Sequence, residues 1–512
     1  MASFSAQTAF LGNEAGYNGG AVFVDEGSAA SWSGEAISVF EGNRAGRFGG
    51  ALAVSARSRV SCTTETTSTF FDNSAFEGGG AILVELDSSL SFGGNTSFES
   101  NRALGDLDTP TGSGGALLVD GSNASSSGRV TFTGNSALDG GALYVLHGSV
   151  GWSGETTLAE NHALDSGGAV CSYFSAMSWF GDVQMLNNTA ERQGGVLFLL
   201  SSVAMWYGNT TMTENRVTGV EAAGGIICAV FASTIYWSGG LTRFIGGSSS
   251  FVGGALYVSG SEVTWSGGTE FSGNTALLGG AVYMFNGSSV GWTEHTEFTS
   301  NRALTEGGAV MSPSYDSEYN PLESSLVING TTTFFNNTCG ENGGSLALFD
   351  ACSLDINTAD VSFTGNSAGV AGGAVFVSGA GIGPTFSDVS FISNFAQVGG
   401  AASVFGSGND RGMLSPIIPT KFDRCRFIDN VATASGGAVD SAAGQDIVVN
   451  SVFKGNSAEV GGALRLAGTA FVENCSFVEN VSGHQEGAAV SNIGLVSTMA
   501  NSSFTGNGFT CG

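Results

Sequence analysis

Two glutamates and an arginine stand at matched places along the chain. Arg243, Glu270 and Glu297 each immediately precede a phenylalanine, at Phe244, Phe271 and Phe298, and successive members are 27 residues apart. If those phenylalanines share one position of a repeating fold, the three charges form one exterior column. Two carboxylates about 5 Å apart suit a retaining glycosidase, one as nucleophile and one as acid. Such chemistry needs a cleft around the pair. The equivalent places in the preceding coils are Thr157, Gln184 and Thr211, a neutral and flat surrounding. We therefore read the column as solvated surface, with Arg243 offsetting part of the repulsion between the glutamates.

Other candidate residues are weighed in the same way. The segment 312–325 interrupts the repeat and holds Tyr315, Asp316, Glu318 and Tyr319. Tyrosines beside carboxylates suit contact with a sugar or a protein, and loops on a rigid scaffold often carry function; the alternative is a tolerated surface insertion. Asp25, Glu85 and Asp120 follow equivalent strands, with Ser55 between the first two. Calcium wants about six to eight oxygens in a compact site, so no metal site is expected there, and no cofactor is implied elsewhere. The histidines, His147, His162, His295 and His484, are widely separated and form no triad with Ser or Cys. Strand alternation puts His295 and Glu297 on one face and Glu294 on the other. Of eight cysteines only Cys339 and Cys352 are close in sequence, and none is in a CxxC pair. A disulfide between those two and buried free thiols are the two readings; buried thiols are preferred for Cys171 and Cys228.

The elements that must position these residues come from two alternating signatures. One is Gly-Gly-Ala followed by alternating apolar residues, as at Gly19-Gly20-Ala21, Gly49-Gly50-Ala51, Gly140-Gly141-Ala142 and Gly461-Gly462-Ala463. The other is Phe-x-x-Asn, from Phe10–Asn13 to Phe504–Asn507, with Leu158, Met185 and Met212 replacing the Phe in three copies. Seventeen periods separate Asn13 from Asn507, so the mean is 494/17, about 29 residues. That is a solenoid period. Short β-rich runs bounded by glycine make the repeats strands, and glycine would cost a helix about 1 kcal/mol per residue. Each repeat is predicted to make one coil of three short strands and three turns. Copies stack in parallel about 4.8 Å apart. The Phe points inward, the Asn closes a turn and hydrogen-bonds to its neighbours, Gly-Gly makes a sharp corner, and the Ala fits a cramped interior. Six tryptophans, Trp152, Trp179, Trp206, Trp237, Trp265 and Trp292, share one slot in successive coils. Alternation with the apolar residue two places earlier puts them in the core as a ladder, not on a sugar-binding strip.

The composition excludes several classes. Gly is 81 of 512 residues without a Gly-X-Y period, and 42% of the chain is apolar, so neither collagen nor disorder fits. The net charge of −28 rests on 44 acidic and 16 basic residues, the latter scattered singly. A nucleic-acid partner needs a basic face. No apolar run is long enough to span a membrane as a helix. The start, MASFSAQTAF, lacks a basic region and an apolar core of a leader peptide, which predicts either another route of secretion or a piece of a longer chain.

The tandem GGA[ILV] and FxxN signatures resemble the repeats of the chlamydial polymorphic outer-membrane proteins, and more broadly the pectin-lyase-like class. The resemblance covers about residues 10 to 507. It implies an all-β, right-handed parallel β-helix, here one solenoid over 1–512 with insertions at 104–113, 312–325 and 406–420. It also implies an extracellular or cell-surface passenger used in adhesion. The function expected is a non-enzymatic adhesin-like rod that contacts glycans or surface proteins. The alternatives are a polysaccharide-active enzyme of the same fold and a structural spacer. Uncapped coil ends are expected to promote self-association.

Overall fold

The second glycine of each Gly-Gly pair explains why the chain coils so tightly. A β-carbon on Gly50 would lie 2.1 Å from the carbonyl oxygen of Gly80, one coil on. The first glycine, Gly49, has φ +64, and a β-carbon there would meet the carbonyl of Leu52 at 2.4 Å. One glycine therefore turns the chain, and the other lets successive coils touch backbone to backbone.

The computed structural model describes residues 2–105, 111–313, 323–349, 352–357, 360–379, 383–405, 419–442, 445–483, 487–493 and 497–509. The chain is all-β, with no helix among these residues, and is a parallel β-solenoid of about 17 coils of about 28 residues. It divides into two compact units, Met1–Tyr257 and Val258–Gly512.

In the first unit a coil has four strands, one more than expected. The coil after Gly19-Gly20 shows the order. Val22–Val24 follows the glycines, Ala29–Trp32 is the tryptophan strand and Ile37–Glu41 the phenylalanine strand. A two-residue strand, Arg44–Ala45, is the addition. It is too short to show a period in sequence. Each strand pairs in parallel with its copy in the next coil, for example Phe40 with Phe70 and Ala45 with Ala75.

The interior is built from columns. Phe10, Phe40, Phe70, Phe98 and Phe132 stack at 4.6 to 4.9 Å between ring centroids. The asparagines form a continuous buried ladder. The backbone N–H and Nδ2 of Asn43 both donate to Oδ1 of Asn73, at 3.0 and 2.9 Å, while Asn43 Nδ2 also donates to the carbonyl of Phe10. The same set repeats to Asn215. Each amide thus satisfies a turn N–H that burial would otherwise leave without a partner.

All seven tryptophans are buried, including Trp32, which occupies the same sheet as the others of its unit. The core reading of the tryptophans holds. Trp179, Trp206 and Trp237 stack at 4.6 and 4.7 Å. Trp152 instead lies against Phe132, at 6.4 Å.

The second unit repeats the phenylalanine column from Phe271 to Phe504 and the asparagine ladder from Asn274 to Asn507. Its tryptophan strands are Glu262–Trp265 and Ser289–Trp292. Ile328 then takes the place of Trp292, and Ile356 that of Ile328. From Thr385–Ser387 onward a separate five-stranded sheet forms this wall, with Phe386 and Phe422 stacked inside at 5.2 Å.

Candidate functional site

The repeat fixes which way each candidate points. In the strand Thr296–Thr299, Thr296 and Phe298 are buried, so Glu297 faces out. Glu270 pairs in register with Glu297, one coil apart. His295 joins them, with its Nε2 2.8 Å from Oε1 of Glu297. Both of these side chains are about half exposed. In the next coil the column continues as Thr333. Arg243 lies in the first unit, in register with Thr211. The two glutamates stand on an open sheet face. Neither the hollow lined by Asn187, Glu214 and Arg216 nor the one lined by Val490, Met499 and Phe504 includes them.

Tyr315, Asp316, Glu318 and Tyr319 lie outside the described residues. The strands on either side are Val310–Ser312 and Ser324–Ile328. The 406–420 insertion likewise falls between Ala402–Phe405 and Thr420–Asp423. Both insertions therefore leave the coil after the glycine-led strand, as their sequence positions predict. For the insertion at 104–113, residues 106–110 are outside the described set.

Glu85 and Asp120 pair in register, and Ser55 Oγ donates to Glu85 at 3.0 Å, so this acidic column exists as a column. Among the described residues no group of three His, Cys, Asp or Glu is placed to hold a metal ion.

Burial accounts for the behaviour of the thiols. Seven described cysteines are free, and Cys339 and Cys352 are not bonded to each other. They sit on different strands, Thr338–Cys339 and Cys352–Ile356, each as a free thiol. Burial pushes both thiols up to about 12. Cys171 and Cys228 are separated by Phe198 in the column, two coils apart, roughly 10 Å, beyond disulfide reach. Their thiols are also raised by burial. Thiols held protonated in this way are poor nucleophiles and resist oxidation.

Some acidic groups depart from the exposed pattern, Asp440 and Asp446 among them. Asp139, beside the Gly-Gly corner, is pushed up to about 6 by burial and then by the nearby Asp165. Its Oδ1 accepts the backbone N–H of Ser166 at 3.2 Å, and Asp165 pairs with Arg192. The contact is a corner brace between coils.

Sequence reasoning did not single out Phe174, Phe180, Tyr207 and Phe231, four of the exposed aromatics of the first unit. Phe174 neighbours His147 in its column, and Phe180 neighbours Tyr207, so the rings become a patch only when the coils are stacked.

The class defined by this geometry is a parallel β-helix repeat protein with an ordered interior and open outer columns. The Chlamydia polymorphic membrane protein repeat matches residues 129–146 and 360–378. The chain carries this repeat at those two stretches, within a parallel β-solenoid. No curated protein matches the chain. Repeat and fold together suggest a cell-surface repeat protein. No helix of the described residues is long and apolar enough to cross a membrane.

Proposed function

We propose that the chain is a non-enzymatic, adhesin-like repeat protein that displays its outer columns to glycans or proteins of another surface. One observation carries this reading. The residues that recur from coil to coil, Phe, Asn, Gly-Gly and Ala, all face the interior or the backbone, while the outward positions change from coil to coil. A scaffold of this kind presents variable side chains on an invariant frame.

The reading is tested by two assays on the purified chain. Incubation with pectins, alginates and glucans should yield no new reducing ends and no unsaturated products. Beads coated with the chain should be retained on cell surfaces above albumin-coated beads. Product formation would replace the proposal with catalysis and direct mutation to Glu270 and Glu297. Loss of retention would leave the spacer reading.

A further inference from the structure

Four consecutive coils of the first unit carry an outer face without charge. The segments 147–153, 174–180, 201–207 and 231–238 contain no Asp, Glu, Lys or Arg, in a chain of net charge −28. They run along the outer side of the tryptophan strands, which pair in register from Ser149–Trp152 to Thr234–Trp237.

The corner that opens this face is occupied by His147, Phe174, Ser201 and Phe231, with φ of 50, 51, 48 and 52. In the preceding coil the same corner is Gly121, with φ 54. Glycine meets the left-handed conformation freely, whereas a residue with a β-carbon gives up roughly 1–2 kcal/mol there. Phe174 and Phe231 do not recover that cost by burial, being 53% and 68% exposed. The left-handed corner itself is common to the coils, with Leu86 at φ 55 holding the same place, so the two rings matter here as exposed apolar area. Phe174 stacks on His147 at 5.4 Å and 11°. On its other side the column has only the small Ser201 before Phe231, so one rung of a ring stack is missing. At the far corner Phe180 and Tyr207 stack at 4.7 Å and 3°, and both are exposed.

We infer that this face binds a neutral, extended polysaccharide, with one sugar seated in the gap at Ser201 between Phe174 and Phe231. Absence of charge argues against acidic glycans, which the net charge repels, and against cationic ligands, which find no carboxylate here. Phe174 and Phe231 stand two coils apart, about 10 Å, which leaves room for one sugar ring between them. Aromatic rings offer their faces to the C–H face of a sugar, and the hydroxyls of Ser201 and Tyr207, which donate to the Phe231 carbonyl and the Met205 sulfur, keep lone pairs free to accept from it. Four coils by seven residues span roughly 450 Å² of sheet. A stable protein partner or a second copy needs about 800 Å² on each side, so the area suits a single glycan strand. The inference rests on the contact role proposed above and adds its ligand class and site.

The test is affinity electrophoresis of the full chain in gels containing hydroxyethylcellulose, mixed-linkage β-glucan or galactomannan, with polygalacturonate as the acidic control. The chain should be retarded in at least one neutral gel and not in the acidic one. The double variant Phe174→Gly, Phe231→Gly keeps the corner conformation and should bind at least tenfold more weakly, with an unfolding midpoint no lower than that of the parent. Absence of retardation in every neutral gel, or retardation that the variant leaves intact, overturns the site. If coated beads still adhere to cells in that case, the contact reading survives and the glycan site alone fails. Adhesion abolished by the variant and by protease treatment of the cells, without glycan retardation, would assign the face to a protein. A dimer in sedimentation that the variant dissolves would assign it to a second copy.

Discussion

The corner after the tryptophan-type strand carries opposite chemistry in the two units. In the first unit it presents Phe180 and Tyr207, stacked on each other and exposed. In the second it presents Asp388, Arg424 and Asn450, all with φ between 54 and 58. There Arg424 donates to both oxygens of Asp388, at 2.8 and 2.7 Å, and to Asp423 at 3.1 Å. Asn450 Nδ2 donates to the other oxygen of Asp423 at 3.0 Å. The Arg424 guanidinium holds the Asp388 carboxyl below its ordinary range. The corner differs in backbone as well as in side chains: three residues, 180–182, join the strands in the first unit, whereas in the second a left-handed residue opens a turn of one or two residues and carries an ionic network that satisfies itself. The solenoid does not dictate the outside. An exposed apolar patch on an acidic chain marks contact, whereas a self-paired network does not.

The inside differs as well. At the wall where the first unit stacks Trp179, Trp206 and Trp237, the second unit places Asp446 in the interior between Thr420 and Ala470. Ser441 Oγ donates to its Oδ2, and Oδ1 has no partner among the described residues. Burial pushes this carboxyl up to about 6.

The largest effect should come from breaking the interior of the first unit. Trp206→Ala removes the middle ring of the stack and leaves a cavity, so urea unfolding followed by circular dichroism should show a loss of about 3–5 kcal/mol. A shift below 1 kcal/mol would mean that the wall is not packed as described.

Asp446→Asn sharpens the contrast in the second unit. The folded carboxyl titrates above its unfolded value, so its favourable contribution is full below about pH 4 and disappears as the pH rises through about 6. The parent should therefore lose stability over that window relative to the variant, by on the order of 3 kcal/mol at the limit. Denaturant midpoints from pH 4 to 8 check this, and parallel curves for the two proteins would refute it.

Phe231→Gly, on the outer face, should raise stability by about 1 kcal/mol through relief of the left-handed strain. A loss of stability would show that the ring packs against the protein after all. Smallest of all, Arg424→Ala removes ion pairs of a half-exposed arginine, which contribute little, and leaves the buried Asp423 its Lys421 and Asn450 partners. Its thermal midpoint should stay close to that of the parent, and the small difference should vanish in high salt.

The sequence by itself determined the parallel solenoid, its period and its interior. Phe-x-x-Asn and Gly-Gly-Ala recur because each residue has one physical reason at its place. A ring stacks on a ring, an amide satisfies a buried N–H, and a missing β-carbon lets two coils touch. Those reasons act locally and repeat, so the pattern is visible without coordinates. The two-residue strand at Arg44–Ala45 was invisible, since two residues show no alternation. Tertiary structure alone decided the rest. It showed that Cys339 and Cys352 lie on separate strands, and that His295 Nε2, on the face alternation assigns it, comes within 2.8 Å of Glu297. It also put Phe174 and Phe231 at a left-handed corner where Gly121 would serve. Outward positions carry no repeating constraint, so their neighbours across coils become known only when the coils are stacked.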